Sequence, residues 1–380
     1  MKPKLLTIGV LLTLAVALSA CAGEEKATPA PTSTAPASPA AWQQEWDQVV
    51  AAAKKEGKVV VAGPPEAEYR RGLTGPFEQK YGISVEYMGE TGAVWGGRIR
   101  AEREAGQYLW DIHVGGNPPM FTVLKPMGAM DRIEPALILP ELKDPKTWRE
   151  GKVPFADNDH QILEFSIFTT TSALMVNSNL VKPGEIKSYK DLLDPKWKGK
   201  IMIHDPRVAG PGQAAASFFY EHKDLGPDFL RALLKHDPIM GRDSTQQLEW
   251  LAQGRYPLLV GGSVSAAMAM EKQGLPIRQA DPRQIKEGGS TASGFSNVTL
   301  INRAPHPNAA KLYLNWLLSK EAQTELSRTL GYASMRVDGP TDHVEPLLLP
   351  FESAWAGGRG EASIPAKARV AAFAREILGD

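Results

Sequence analysis

From residue 42 the sequence switches repeatedly between a helical and a strand period, and that alternation narrows the fold to one class. Trp42, Trp46, Val49, Val50 and Ala53 fall at helical spacing, and Gly57 stands where such a helix would be closed. Lys58-Val59-Val60-Val61-Ala62 reads as a buried strand running into Gly63-Pro64-Pro65. Leu73, Phe77 and Tyr81 recur as on one helix face. Ile83, Val85 and Tyr87 alternate like a strand and end at Gly89-Glu90-Thr91-Gly92. A helix is predicted over 94–105, then a strand over 110–114 ending at Gly115-Gly116-Asn117. Strands alternating with helices predict βα units around a largely parallel sheet. Ligands of such sheets lie beyond the carboxyl ends of the strands, where these small-residue loops fall.

The pattern returns further on. One long strand is predicted over 165–176, with Thr169, Thr170, Thr171 and Ser172 in its middle. A second block has helices over 189–193, 213–222 and 246–253 and strands over 199–203 and 256–260, the last ending at Gly261-Gly262-Ser263. Residues 291–301 read as a strand crossing back, followed by helices over 308–318, 320–330 and 365–378. The expected fold is α/β with two lobes, each a mixed sheet flanked by helices, joined by two crossing strands. The expected boundaries are 42–168 for lobe one, 169–298 for lobe two, 299–350 for the return to lobe one, and 351–380 for a C-terminal helical segment.

The N-terminus has another character. Lys2 and Lys4 precede an apolar run over 5–18, then small residues lead to Cys21, the chain's single cysteine. That is the layout of a secretory signal over 1–20. The run is shorter than the roughly 20 apolar residues of a membrane span. Residues 22–41 are rich in Pro, Thr, Ser and Ala without a large apolar side chain, so 21–41 is expected to be an extended tether. One cysteine cannot form an intramolecular disulfide. The 43 basic residues balance 43 acidic ones, and removing Lys2 and Lys4 leaves 41 against 43. No basic stripe argues for nucleic acid. Leu18-Ser19-Ala20-Cys21 resembles the lipobox of bacterial lipoproteins, which implies cleavage before Cys21 and a lipid on it, with membrane contact through that lipid only.

Catalysis finds little support. Gly261-Gly262-Ser263-Val264-Ser265 and Gly294-Phe295-Ser296-Asn297-Val298 both miss the last glycine of a nucleophile elbow. The seven histidines are scattered with no His-x-x-x-His pair, so neither a metal site nor a cofactor is expected.

Binding finds more. His204 to Gln213 reads as a strand end, a loop and the start of an Ala-rich helix. Pro211 suits the first helical position, and Gly210 and Gly212 leave backbone N–H groups uncovered. A helix start of this kind favours anions or ligand oxygens, with Gln213 beside it. Arg207 can clamp a carboxylate or phosphate, or lie solvated in the loop. In Gly241-Arg242-Asp243-Ser244, the residues Arg242, Asp243 and Ser244 are ligand candidates, although Asp243 and Ser244 serve equally well as helix caps. Gly262 and Ser263 form a third loop. Gly63, Pro64, Glu90, Thr91 and Asn117 would form the opposite wall. Thr170 and Thr171 lie on the crossing strand, where only alternate residues face one side. Tyr332 and Trp95 are either aromatic walls or core.

Five stretches carry a resemblance: AAAKKEGKVVV (51–61), FEQKYGISVEY (77–87), LLDPKWKGKIMIHDP (192–206), LEWLAQGRYPLLVGG (248–262) and LNWLLSKEAQTEL (314–326). In this order, behind a lipobox, they resemble extracellular solute-binding proteins of ABC importers, especially the ferric-ion-binding and small-ligand members with the type 2 periplasmic-binding fold. The resemblance implies a monomer that closes on a small solute about the segments 170–175 and 294–300, then docks on an ABC permease. Ferric-binding members use adjacent tyrosines and a histidine, and the matching positions here are Ser263, Val264 and 63–65. The helix start over 210–213 and Arg207 lead instead to the expectation of a small polar solute carrying an anionic group. Ferric iron or an iron chelate, a sensory or scaffolding lipoprotein and, last, an anchored hydrolase remain as alternatives.

Overall fold

The computed structural model describes residues 41–167, 169–351, 354–355 and 357–379. The signal, Cys21 and the tether up to residue 40 lie outside the described residues, and Ala41 already opens the first helix. In chain order the elements are α1 (Ala41–Glu56), β1 (Lys58–Gly63), α2 (Ala67–Tyr81), β2 (Ser84–Gly89), α3 (Gly92–Glu104), β3 (Ile112–Gly115) and the single turns α4 (Asn117–Pro119) and α5 (Pro140–Lys143). Four short strands follow: β4 (Leu163–Glu164), β5 (Ser166–Ile167), β6 (Thr169–Thr171) and β7 (Leu174–Asn177). Then come β8 (Ile201–His204), α6 (Pro211–Glu221), α7 (Gly226–Leu234), β9 (Ile239–Gly241), α8 (Ser244–Ala252), β10 (Leu258–Val260), α9 (Val264–Lys272) and β11 (Ile277–Gln279). The chain ends with β12 (Ser290–Ala292), β13 (Asn297–Leu300), α10 (Pro307–Leu318), α11 (Lys320–Leu330), β14 (Ala333–Ser334) and α12 (Ser363–Leu378).

Two mixed sheets define two lobes. The first has the order β2-β1-β3-β13-β4, with β1 parallel to β2 and β3, and β13 antiparallel to β3 and β4. The second has the order β11-β7-β10-β8-β9, with β8 parallel to β9 and β10. Strands β3, β8 and β13 are buried at every position, as strands covered on both faces must be. In lobe one the Phe77 ring lies 4.9 Å from Tyr313 and 5.2 Å from Trp316, so α2 and α10 meet through aromatic faces. In lobe two Tyr189, Phe218 and Phe219 play the corresponding part.

The two long crossing strands are corrected. Residues 165–176 break into β5, which pairs with β14, β6, which pairs with β12, and β7, which joins the second sheet. Residues 291–301 break into β12 and β13 around a turn at 293–296. A segment passing from one sheet to another must change hydrogen-bond partners, and it cannot remain one ladder. β13 begins at Asn297, two residues before the expected return to lobe one, and pairs there with Gly115. The helices α7 and α9 and the strands β9 and β11 had not been predicted from the sequence.

The C-terminal segment makes a third connection. Val344 and Leu348 pack with Val264 and Met268 of α9, on lobe two. The Trp355 N–H donates to Gly289 O, and its carbonyl accepts from Thr291 N, beside β12. Arg359 then pairs with Glu164 at 3.0 Å and with Glu150, on lobe one. Finally, α12 lies on α6 and α7, back on lobe two.

Candidate ligand-binding cleft

The carboxyl ends of β1, β2 and β3 form one edge of lobe one, and those of β8, β9 and β10 form one edge of lobe two. Helices α2, α3, α6 and α9 start at these edges, and none has its first turn capped by its N-cap side chain (Glu66, Thr91, Gly210 and Ser263). At the same edge α8 is closed, because the Asp243 carboxylate accepts from Thr245 N and Gln246 N. Away from it, Glu56 covers the start of α10, accepting from Ala309 N at 2.7 Å. The uncapped starts leave N–H groups and a positive dipole end available to ligand oxygens.

On lobe two, Gly212 and Gly261 stack backbone to backbone. A Cβ on Gly212 would stand 1.8 Å from His204 O, and one on Gly261 would stand 2.6 Å from Gly212 Cα. These glycines therefore hold the β8 and β10 loops together. A Cβ on Gly262 would meet Met175 Sδ at 2.5 Å. The buried His204 ring shares Nδ1 with Gln247 Oε1 at 2.9 Å, lies 3.5 Å from Ser244 Oγ, and presents Nε2 toward Gly210. His204, Ser244, Gly210, Gly212, Gly262 and Ser263 thus gather at this edge.

Other residues expected at the site have partners elsewhere. Arg207 grips both oxygens of the buried Asp205, each at 2.9 Å, and its Nη1 donates to Gly379 O. Arg242 donates to Asp205 Oδ2 at 2.8 Å. Although burial opposes ionisation, the two guanidiniums and the Arg207 N–H hold Asp205 well below the usual carboxylate range. Gln213 Nε2 reaches Lys367 O on α12, at 3.3 Å.

On lobe one, Pro64 O accepts from the Tyr87 hydroxyl at 2.7 Å, and a Cβ on Gly63 would overlap that hydroxyl. Glu90 faces Arg98 through Oε1, and its Oε2 is buried without a partner. Asn117 Nδ2 donates to Ser293 Oγ at 3.3 Å, while its Oδ1 has no partner. Thr91 is exposed. Thr170 and Thr171 lie in β6, opposite Thr291 and Ser290. Tyr332 is half-buried beside Tyr69 and Glu66, whereas Trp95 is core, stacked on His113 at 4.0 Å. Sequence reading missed Tyr69, Ser293 and Phe295. Tyr69 carries no local signal that sets it apart from a packing residue of α2, and Ser293 and Phe295 fall inside a strand predicted to be continuous.

His113 sits in β3 behind this wall, and burial pushes it down to about 3. Its folded value is below its unfolded value of about 6.5. The stability that depends on neutral His113 is thus complete above that pH and is lost as pH falls toward 3. Urea titrations across this range should show a falling stability that His113→Leu flattens. An unchanged slope in the variant would assign the acid sensitivity to another group, Asp205 first.

Among the described residues no three His, Cys, Asp or Glu side chains converge as a metal site, and no helix is long and apolar enough to cross a membrane. The two-lobed architecture is that of periplasmic binding proteins. The Trichodesmium protein FutA (IdiA), solved with iron and citrate, superposes with a TM-score of 0.64 at 19% identity, covering 85% of this chain and 100% of that one. Residues 72–342 match the bacterial extracellular solute-binding proteins, and the chain belongs to that family, whose members bind solutes and are not enzymes. A Salmonella typhimurium periplasmic protein provisionally named for binding 2-aminoethylphosphonate is 27% identical over 265 residues, 69% of this chain and 72% of that protein. Iron uptake protein A1 of Synechocystis is 25% identical over 179 residues. That match spans 43% of this chain and about half of that relative, 48%.

Proposed function

We propose that the protein is a lipid-anchored, monomeric capture protein that takes a small polar solute with an anionic group into the cleft and delivers it to an ABC permease. The observation that carries this reading is the set of uncapped helix starts at the carboxyl-end edges of the two sheets. Closure would turn on the segments around β6 and β12, whose single short ladder is the kind of element that absorbs a hinge rotation. Selective docking of the closed form would let the ligand control delivery. The candidate contacts are Gly63, Pro64, Glu90, Thr91, Asn117, Thr170, Thr171, Gly210, Gly212, Ser244, Gly262, Ser263 and Tyr332. Cys21 would carry the lipid on the outer face of the cell membrane.

Two experiments test the proposal. A thermal-shift panel of phosphonates, phosphate, carboxylates, sulfonates, sugars and ferric iron with and without citrate should give a hit in one oxyanion class. Ligand at 100 times its dissociation constant adds about 2.7 kcal/mol. A hit with bare ferric iron alone would replace the oxyanion reading. Detergent phase partitioning should place the expressed protein in the detergent phase and Cys21→Ser in the aqueous phase, and equal partitioning would remove the anchor.

A further inference from the structure

Strand β8 delivers a histidine ring to the uncapped start of α6. His204 is 5% exposed, and its Nδ1 lies 2.9 Å from Gln247 Oε1. An amide oxygen only accepts, so the ring carries its proton on Nδ1. Gln247 is itself fixed, 2% exposed and packed against Gly241. Ser244 Oγ stands 3.5 Å from the same ring nitrogen. The other nitrogen, Nε2, has no hydrogen-bond partner among the described residues. It faces the N-cap of α6, where a Cβ on Gly210 would stand 3.3 Å from it. A side chain at 210 would cover this nitrogen, and glycine leaves it open. The charges around the ring are few. Asp205 follows on the same strand, and Arg207 and Arg242 both grip it, so that group is net positive. Asp243, at the start of α8, gives its carboxylate to Thr245 N and Gln246 N. Helix α6 has no charged residue before Glu221, and the chain from 261 through α9 has none before Glu271. No carboxylate among the described residues pairs with the ring.

We propose that His204 Nε2 contacts the captured solute and takes up one proton from solvent as an oxyanion binds, so that capture and proton uptake are one event. A bare Nε2 holds a lone pair, which repels an oxyanion. Once protonated it donates to the oxyanion, and that charge-assisted bond adds to the N–H groups and dipole end of α6. The proton comes from water or buffer, the bond formed is Nε2–H, and no bond of the solute breaks. Without the oxyanion, a second proton on the ring would face the positive end of α6 with no anion to balance it. The solute supplies that balance, and Gln247 keeps the first proton on Nδ1 throughout. The inference rests on the capture reading, and it adds a contact residue and a coupling of binding to pH.

Calorimetry on the mature chain tests it with sulfate, ethanesulfonate, acetate and ethylphosphonate, each in buffers of unlike ionisation enthalpy, which counts the protons. At pH 8, where a free imidazole is neutral, at least one of these probes should bind with uptake of about one proton. Its affinity should fall about tenfold for each further pH unit. His204→Gln should bind the same probe about tenfold more weakly at pH 7 and lose that uptake. Long-range nitrogen–proton spectra of the parent chain give a reading that needs no variant: Nε2 of His204 should be bare in the empty protein and protonated in the complex. Binding without proton uptake, uptake that His204→Gln retains, or an Nε2 that stays bare in the complex overturns the inference and leaves the capture reading standing. Failure of every probe to bind also overturns it, and a silent thermal panel would remove the capture reading as well.

Discussion

Arg359→Ala should lower the unfolding free energy by about 3–5 kcal/mol, the usual consequence of stranding one partner of a buried ion pair. The side chains of Arg359 and Glu164 are 7% and 6% exposed, and they meet at 3.0 Å. Glu164 Oε1 has no other partner, so little else could stabilise the carboxylate. The loss should depend on pH in a definite direction. Burial pushes Glu164 up to about 7, against the pull of Arg359. A group whose folded value is raised contributes stability below its unfolded value, about 4.3, and that contribution fades as pH rises through 7. Without Arg359 the carboxyl rises further, so the deficit against the parent protein should be smallest near pH 4 and largest above 7. Denaturant titrations at the two ends of this range would measure it. A deficit that is the same at both would mean that only packing was lost. The double variant Arg359→Met with Glu164→Leu should recover much of the loss, because apolar replacements of buried pairs are often neutral. Glu164 ends the first sheet just before the crossing segment, and Arg359 belongs to the C-terminal strap.

Gly212→Ala should destabilise the protein by about 3 kcal/mol and weaken ligand binding more than about tenfold. The obstacle is backbone. The new methyl would stand 1.8 Å from His204 O, and the Gly261 backbone closes the other side. The β8 and β10 loops would have to part, and with them the start of α6. Gly97→Ala is the matching control, because it lies in α3 with open space around it and should gain up to about 1 kcal/mol. Melting curves and calorimetry on the two variants would separate the cases. Unchanged affinity in a folded Gly212→Ala would mean that the ligand does not depend on this loop.

Much of the site was legible as loops and little of it as contacts. Gly210, Gly212 and Ser263 could be placed at strand ends and helix starts because such positions have local signatures. Arg207 looked like a clamp because a loop arginine beside glycines is indistinguishable in sequence from one that answers a neighbouring carboxylate. Asp205, two residues away, turns out to hold both Arg207 and Arg242. Phe295 was read as strand because it falls between Thr291 and the largely apolar run Val298-Thr299-Leu300-Ile301, and only the change of sheet at 293–296 brings it to the surface.

The sequence by itself determined the class of this protein: two α/β lobes with glycine loops at strand ends. Those features follow from periodicity and local backbone preference, which act over a few residues. Tertiary structure alone decided where the crossing strands break, which cations are already paired, and that the C-terminal segment binds both lobes. These depend on partners such as Glu164 and Arg359, 195 residues apart. Whether a charge is paired with its own chain or left for a ligand depends on what folding places beside it, and local pattern carries no record of that.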